Sequence, residues 1–247
     1  GMHGSYLGPF LNNETIKKEL DEVGAVYHKK DENNLIDKIS TDLSKGKAVG
    51  WFQGRMEFGP RALGSRSILA DPRSPSMQKN LNLKIKFRES FRPFAPSVLN
   101  DKVENWFNFQ NSSPYMLYTV DINEKVKKEI SNSDKLLKGI DKLNVTRSKI
   151  PAVTHVNYSA RIQTVHQNTN PLFYELIKSF SNKTGCDLLI NTSFNVRGEP
   201  IVCSVLDAFK CFMGCDMDVL AIGNFILYKK EQDLQLAEDY KYKFDLD

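Results

Sequence analysis

Nowhere in the 247 residues is there a run of about 18 apolar side chains, the length a membrane-spanning helix needs, and no basic-then-apolar leader opens the chain. A spanning helix and a secretory signal are therefore not expected, and the reading is cytoplasmic with no membrane partner. Cysteine is scarce. Cys186, Cys203, Cys211 and Cys215 contain no C-x-x-C pair, which argues against a zinc site, and four in this length make no disulfide scaffold. They read as reduced side chains packed in the core. Cys211 and Cys215 are one helical turn apart and could reach a metal together, but no metal site is assigned. Charge of one sign is also short: a net charge of +4 is too small to argue for bulk nucleic-acid binding. The basic residues are not interleaved with the exposed aromatics that stacking on single strands requires, so nucleic acid is not an expected partner.

What is present is an ordinary globular composition, 40% hydrophobic and 26% charged, without internal repeats. Three segments are expected: a tag residue and junction over 1–14, one domain over 15–230, and a polar tail over 231–247 that is frayed or forms an edge helix. Helices are predicted at 15–22 and 34–45, each ending near a glycine, Gly24 or Gly46. KAVGWF reads as a strand. RSPSMQKNLN starts a helix with Ser74 as cap and Pro75 in its first turn. RPFAPSVL and YMLYTVDI read as strands around a short helix, DKVENWF. Residues 123–149 are lysine-rich and read as a solvated insertion. IPAVTHV and ARIQTVH read as two strands joined at NYS. NPLFYELIKSFSNKTG is an amphipathic helix with Pro171 near its start and Gly185 after its end; CDLLINTSFN is a buried strand running into a polar loop. SVLDAFKCFMG opens with a capping box, Ser204 and Asp207, and DVLAIGNFILY is a final strand. Helices and strands interleave, so the class is α/β (α+β) with a mixed sheet.

GWFQGRMEFGPRALGSRSIL, residues 50–69, begins at the carboxyl end of a strand, where ligands sit in open α/β sheets. Gly59 and Gly64 are spaced as in a phosphate loop. Ser65 stands where that loop needs lysine, however, and Pro60 removes a backbone donor, so a nucleoside-triphosphatase P-loop is excluded. What survives is an anion site made by Arg55, Arg61 and Arg66, whose guanidinium forks suit phosphate or carboxylate. In an extended KIKFRESFRPFAPS, residues Lys84, Lys86 and Arg88 would share one face, with Arg92 close behind. Between residues 51 and 100 nine bases stand against three acids, a surplus of six. Charge alone allows an exposed basic rim. Alternation with apolar residues and the stiff RPFAP end favour an ordered site for a small polyanion. NTSFNVRGEP presents Asn191, Thr192, Ser193 and Asn195, which either bind phosphate or ribose oxygens or satisfy their own turn. THVNYSARIQT adds His155, Ser159, Arg161 and Gln163, without a Ser-His-acid order.

GRMEFGPRALGSRSIL, KIKFRESFRPFAPSVL, THVNYSARIQTV and NTSFNVRGEPIV together resemble the four signature blocks of the carboxyl-terminal domain of O-carbamoyltransferases, a group that includes nodulation and antibiotic-tailoring enzymes. The resemblance runs over roughly residues 6–230 and is far more specific than a short motif. It implies a YrdC-like fold, a twisted mixed sheet flanked by helices around a positive cavity. That family's lysine–arginine pair has its counterpart in Lys86 with Arg88, and its S-x-N segment in Ser193 with Asn195. The family more often has Asp-Gly where Asn157 and Tyr158 stand.

The resemblance further implies that this domain makes carbamoyl adenylate from carbamoyl phosphate and ATP. The acceptor site and an iron-type metal site would belong to an amino-terminal actin-like ATPase domain. YLGPFLNNETIKKEL resembles the junction after that domain, so the chain is expected to be either the carboxyl-terminal part of a longer protein or a separate subunit. Lys86, Arg88 and Arg61 are the expected catalytic residues. Arg55, Arg66 and Arg92 would join them in neutralising ATP and carbamoyl phosphate. Glu57 would orient an arginine or hold magnesium, and His155, Ser159, Arg161, Asn191, Ser193 and Asn195 would bind substrate. Two alternatives stay open: a threonylcarbamoyl-adenylate synthase of tRNA modification, and a nucleotide-binding subunit without chemistry of its own.

Overall fold

A computed structural model describes residues 2–143, 145–237, 240 and 244. Gly1, taken as a tag residue, and most of the tail beyond Ala237 lie outside the described residues. Two helices, α1 (Asn13–Glu22) and α2 (Glu32–Ser44), start on Asn12 and Asp31, whose side chains accept the N–H of Thr15 and Asn34. Strand β1 (His28–Lys29) lies between them. After α2 come β2 (Val49–Phe52) and β3 (Arg66–Ala70). Helix α3 (Met77–Asn80) continues as a π-helical turn through Leu81–Ile85. Next are β4 (Ala95–Leu99), α4 (Val103–Trp106) and β5 (Tyr118–Asp121). The insertion holds α5 (Asn132–Lys135) and α6 (Gly139–Leu143). The remainder is β6 (Ser159–Val165), α7 (Pro171–Thr184), β7 (Leu188–Ser193), α8 (Val205–Gly214), β8 (Val219–Ile222) and β9 (Phe225–Tyr228).

The strands form one mixed sheet in the order β1-β9-β8-β2-β3-β7-β4-β6-β5. β2 runs parallel to β8 and β4 to β6, and the other pairs are antiparallel. Every residue of β2, β3, β4, β8 and β9 is buried, so both faces of the central sheet are covered. α2 packs on α7, which reaches β4 and β7, while α1 packs on α8, which reaches β2 and β8. This is the expected α/β architecture, a mixed sheet flanked by helices. Among the described residues no helix is long and apolar enough to cross a membrane.

The sequence expectations hold where the signals are local. Pro171 is the first residue of α7, and Gly185 ends it at φ +72°; the cap on Asn170, whose side chain accepts the Phe173 N–H, was not foreseen. Ser204 and Asp207 form the reciprocal capping box of α8.

Several expectations are corrected. DVLAIGNFILY is a hairpin, β8 and β9, because Gly223 takes φ +50° and turns the chain within one apolar run. Residues 66–70, not foreseen as a strand, pair with both β2 and β7. In IPAVTHV, Pro151–Val153 is a 3-10 turn and not a strand. Ser74 does not cap α3; its hydroxyl lies 3.2 Å from that of Ser76. Cys203 is exposed, whereas Cys186, Cys211 and Cys215 are buried. The insertion is mostly exposed, as expected, but a bridge between Lys127 and Ser148 closes its base, with Val126 and Ser148 buried.

Candidate functional site

The carboxyl ends of β2 and β7 and the starts of β3, β4 and β6 meet along one edge of the sheet, through Phe52 opposite Arg66, Ser67 opposite Ser193 and Ala95 opposite Asn191. Loop 53–65, turn 193–199 and segment 86–94 are thereby brought to a single place.

The loop is organised around its lone acid. Glu57 is 5% exposed, and its Oε1 accepts the backbone N–H of Leu63 (2.7 Å), Ser65 (2.7 Å) and Arg66 (3.3 Å). These bonds run to the loop's own backbone and not to an arginine side chain. Gly64 has φ +106°, and a Cβ there would come within 2.2 Å of the Phe173 ring, so only glycine fits. Arg66 is 0% exposed. Its guanidinium donates to the carbonyls of Gln53 (2.9 Å), Ser65 (3.1 Å) and Gly54 (3.3 Å) and stacks 3.5 Å from the Phe52 ring centre. Burial pulls its pKa down to about 10. Arg66 therefore closes the loop and does not face a cavity. Arg55 is exposed and donates to the Gly8 carbonyl at 3.1 Å. Arg61 lines the smaller of two neighbouring cavities.

Segment 81–92 is not extended, so Lys84, Lys86 and Arg88 do not share a face. Leu81–Ile85 is helical, and Phe87, at φ +48°, turns the chain between Lys86 and Arg88. The exposed Lys84 lines a separate cavity of about 530 Å³ at the other end of β2, where lysines mix with Asp216 and Asp218. Asn82, fully buried, folds the segment: its Nδ2 donates to the carbonyls of Ser90 (3.1 Å) and Arg92 (2.8 Å), and its Oδ1 accepts Arg88 Nε at 2.6 Å.

Lys86 is 3% exposed and braces the opposite wall. Its ammonium donates to the carbonyls of Ser193 (2.5 Å) and Asn195 (2.8 Å) and to Asn195 Oδ1 (2.9 Å). Burial, and then the neighbouring Arg88 charge, bring its pKa down to about 7. Ser193 Oγ donates to Asn195 Oδ1 (2.7 Å), and Asn195 Nδ2 donates to the Glu199 carbonyl (2.6 Å). Burial pushes the Glu199 carboxyl up. Its two oxygens accept Tyr240 OH (2.9 Å) and Val196 N–H (2.8 Å).

Two cavities meet at Arg88 and Ser193. The larger, about 360 Å³, is lined by Lys86, Arg88, Arg92, Asn195 and Arg197. The smaller, about 140 Å³, is lined by Arg61, Arg88, Arg161, Asn191 and Thr192. Cations crowd both. Burial and then Arg92 bring the Arg88 pKa down to about 10, and burial and then Arg61 lower that of Arg161. Glu89 pairs with two of the cations that line the larger cavity, Arg92 at 3.0 Å and Arg197 at 3.9 Å. Arrays of this kind are held apart by mutual repulsion until an anion enters.

His155 and Ser159 do not line either cavity. His155 Nδ1 lies 3.2 Å from Ser159 Oγ, which donates to Asn157 Oδ1 at 2.7 Å. Burial and then the Arg161 charge lower the His155 pKa, which disfavours the charged ring. Tyr158 takes φ +61°, a conformation that glycine would adopt more easily. Asn82, Ser97 and Arg197 were not singled out from the sequence. Arg197 could have been, since it follows the NTSFN stretch as one more base; Asn82 and Ser97 carry no local signal.

Residues 40–229 match the family described as Carbamoyltransferase C-terminus. The chain belongs to that family. The chain is 53% identical over its whole length to the uncharacterised protein sll1178 of Synechocystis, covering 40% of it. It is 38% identical to nodulation protein NolO of Bradyrhizobium diazoefficiens, over 93% of this chain and 39% of that one. It is 37% identical to 3'-hydroxymethylcephem-O-carbamoyltransferase of Amycolatopsis lactamdurans, over 67% of this chain and 28% of that one. The chain thus spans about two fifths of the length of the first two of these relatives. Among solved structures, full-length HypF in its phosphate- and nucleotide-bound form is similar over 80% of this chain and 22% of its own, with TM-score 0.49 and 15% identity.

Proposed function

We propose that this carbamoyltransferase domain binds ATP and carbamoyl phosphate side by side and forms carbamoyl adenylate, for transfer to an acceptor hydroxyl by an actin-like ATPase domain outside this chain. The observation that carries the reading is the pair of cation-lined cavities meeting at Arg88, in which Lys86, Arg88 and Arg92, and Arg61 and Arg161, repel one another. The larger cavity takes the triphosphate, with Arg88 and Arg92 on its oxygens and the Lys86 charge close behind. The smaller takes carbamoyl phosphate between Arg61, Arg88 and Arg161. Water divides the acyl phosphate into carbamate and phosphate. A carbamate oxygen then attacks the α-phosphorus of ATP, and pyrophosphate leaves. Arg88 touches both substrates, screens their mutual repulsion and holds the attacking oxygen in line.

Magnesium fits only as an ion carried on the triphosphate. Glu199, the carboxylate that lines the larger cavity, has both oxygens engaged, and no cluster of three His, Cys, Asp or Glu occurs among the described residues.

Pyrophosphate release by the chain, with ATP and magnesium and with or without carbamoyl phosphate, tests this reading. Release that requires carbamoyl phosphate and is lost in Arg88→Ala supports it. ATP binding without any release would instead make this a nucleotide-binding part whose chemistry needs a partner, and release with bicarbonate and threonine would move it to the tRNA-modification class.

A further inference from the structure

The amide of Asn191 holds a buried acceptor that nothing among the described residues uses. Asn191 is 1% exposed, and its Nδ2 lies 3.0 Å from Gln163 Oε1, 3.0 Å from Ser97 Oγ and 3.3 Å from the Ala62 carbonyl. The orientation of that amide is fixed from outside. Gln163 Nε2 donates to the Leu63 carbonyl at 2.7 Å, which turns Gln163 Oε1 the other way, where Ser97 Oγ donates to it at 2.6 Å. Asn191 therefore faces two acceptors, Gln163 Oε1 and Ala62 O, and must present nitrogen to both; the flipped amide would set oxygen against oxygen. Its Oδ1 is left on the other branch, buried and without a partner among the described residues, on a residue that lines the smaller cavity. A buried acceptor in this state is rare enough in a folded protein to require a reason.

The charged groups around that cavity are Arg61, Arg88 and Arg161, all donors, and none of them donates to Asn191 Oδ1. A ligand that completes the cavity must bring anionic oxygens for the guanidiniums and an N–H or O–H for Oδ1, within about 140 Å³. Carbamoyl phosphate carries both, a phosphate and an NH2 on the acyl carbon. Acetyl phosphate has the same shape with a methyl group where that NH2 stands.

We infer that Asn191 Oδ1 accepts a hydrogen bond from the carbamoyl NH2 and that this bond selects carbamoyl phosphate over other acyl phosphates. The inference rests on the smaller cavity being the carbamoyl phosphate site. It makes Asn191 an acceptor for nitrogen, whereas the sequence suggested a donor to phosphate or ribose oxygens, for which Nδ2 is already committed.

Titration calorimetry on the full chain with carbamoyl phosphate, acetyl phosphate and inorganic phosphate tests it. Carbamoyl phosphate is expected to bind about 10- to 100-fold more tightly than acetyl phosphate, the range that follows from leaving a buried acceptor unpaired. Asn191→Leu is expected to bring that ratio close to one. Because this variant also breaks the Gln163 network and may fail to fold, the unmutated chain is examined with 15N-labelled carbamoyl phosphate, where one NH2 proton should move downfield and exchange slowly when bound. Equal binding of the two acyl phosphates overturns the selection and leaves the anion site standing. A preference that survives in folded Asn191→Leu overturns the assignment to Asn191. If none of the three ligands binds, the reading of the cavity itself fails, and the inference with it.

Discussion

Arg66 and Arg88 stand on the two basic segments of the chain, and burial is the main cause that brings each guanidinium down to about 10. Their surroundings differ. Arg66 gives its terminal nitrogens to the carbonyls of Gln53, Gly54 and Ser65 and lies on the Phe52 ring. Arg88 makes one bond through Nε, to Asn82 Oδ1, and lines both cavities beside Arg92, whose charge is the second cause of its shift. A buried arginine is thus not in itself a sign of a ligand site. What distinguishes the two is whether the protein has already engaged the two terminal nitrogens, since Arg66 Nε itself is buried without a partner among the described residues.

The largest effect expected from this contrast is on stability. Arg66→Met leaves three carbonyls without their charged donor and should lower unfolding free energy by about 3 kcal/mol, whereas Arg88→Met strips one buried acceptor, Asn82 Oδ1, and should lower it by about 1 kcal/mol. Urea titration of both variants reads this directly, and equal midpoint shifts would break the comparison. Glu57→Ala comes next, at about 2 kcal/mol, because three backbone N–H groups lose one acceptor; Glu57→Gln keeps an oxygen there and should recover about half of the loss. If Glu57 served a ligand instead of the loop, both variants would melt like the parent and differ only in binding.

The ligand side of the comparison is sharpened by separating the cavities. Arg88→Ala should weaken ATP and carbamoyl phosphate each by about 10- to 100-fold, Arg92→Ala should weaken ATP alone, and Arg161→Ala carbamoyl phosphate alone. Calorimetry with each ligand checks this pattern. One uniform loss across all three variants would mean a single undivided site.

The most gradual effect, smallest for each step taken, is pH dependence. Lys86 titrates near 7 in the folded chain and near its ordinary 10.5 when unfolded, so below about pH 7 it is charged in both states and burial of that charge opposes folding in full. Between those values the unfolded chain binds more protons, and stability rises with pH, by less than the about 1.4 kcal/mol per pH unit that one whole proton gives. Anion affinity should fall over the same rise, as the ammonium loses its charge. Lys86→Met should remove its part of both slopes.

Much of the scaffold was legible because its signals are short-range. Pro171 and Gly185 bound α7, and Ser204 with Asp207 starts α8, whatever the rest of the chain does. The failures share a cause. Residues 84–88 alternate basic and apolar residues as a strand would, yet Leu81 and Ile85 also sit one helical turn apart, and the choice was made by buried Asn82 drawing the Ser90 and Arg92 carbonyls around it. β8 and β9 merge into one apolar run unless the Gly223 turn is weighed above hydrophobicity.

The inventory of the site was written in the sequence alone: a surplus of bases between residues 51 and 100, a lone acid among arginines, and short polar side chains after a buried strand. The tertiary structure decided how each was used. It turned Glu57 and Arg66 onto loop backbone, sent Lys84 to another cavity, brought Arg161 and Arg197 in from distant segments, and left Asn191 Oδ1 unpaired. Spacing along a chain reports which donors and acceptors are near one another. Whether a given donor is still free for a ligand depends on every carbonyl the fold sets against it, and that is a property of the packed molecule.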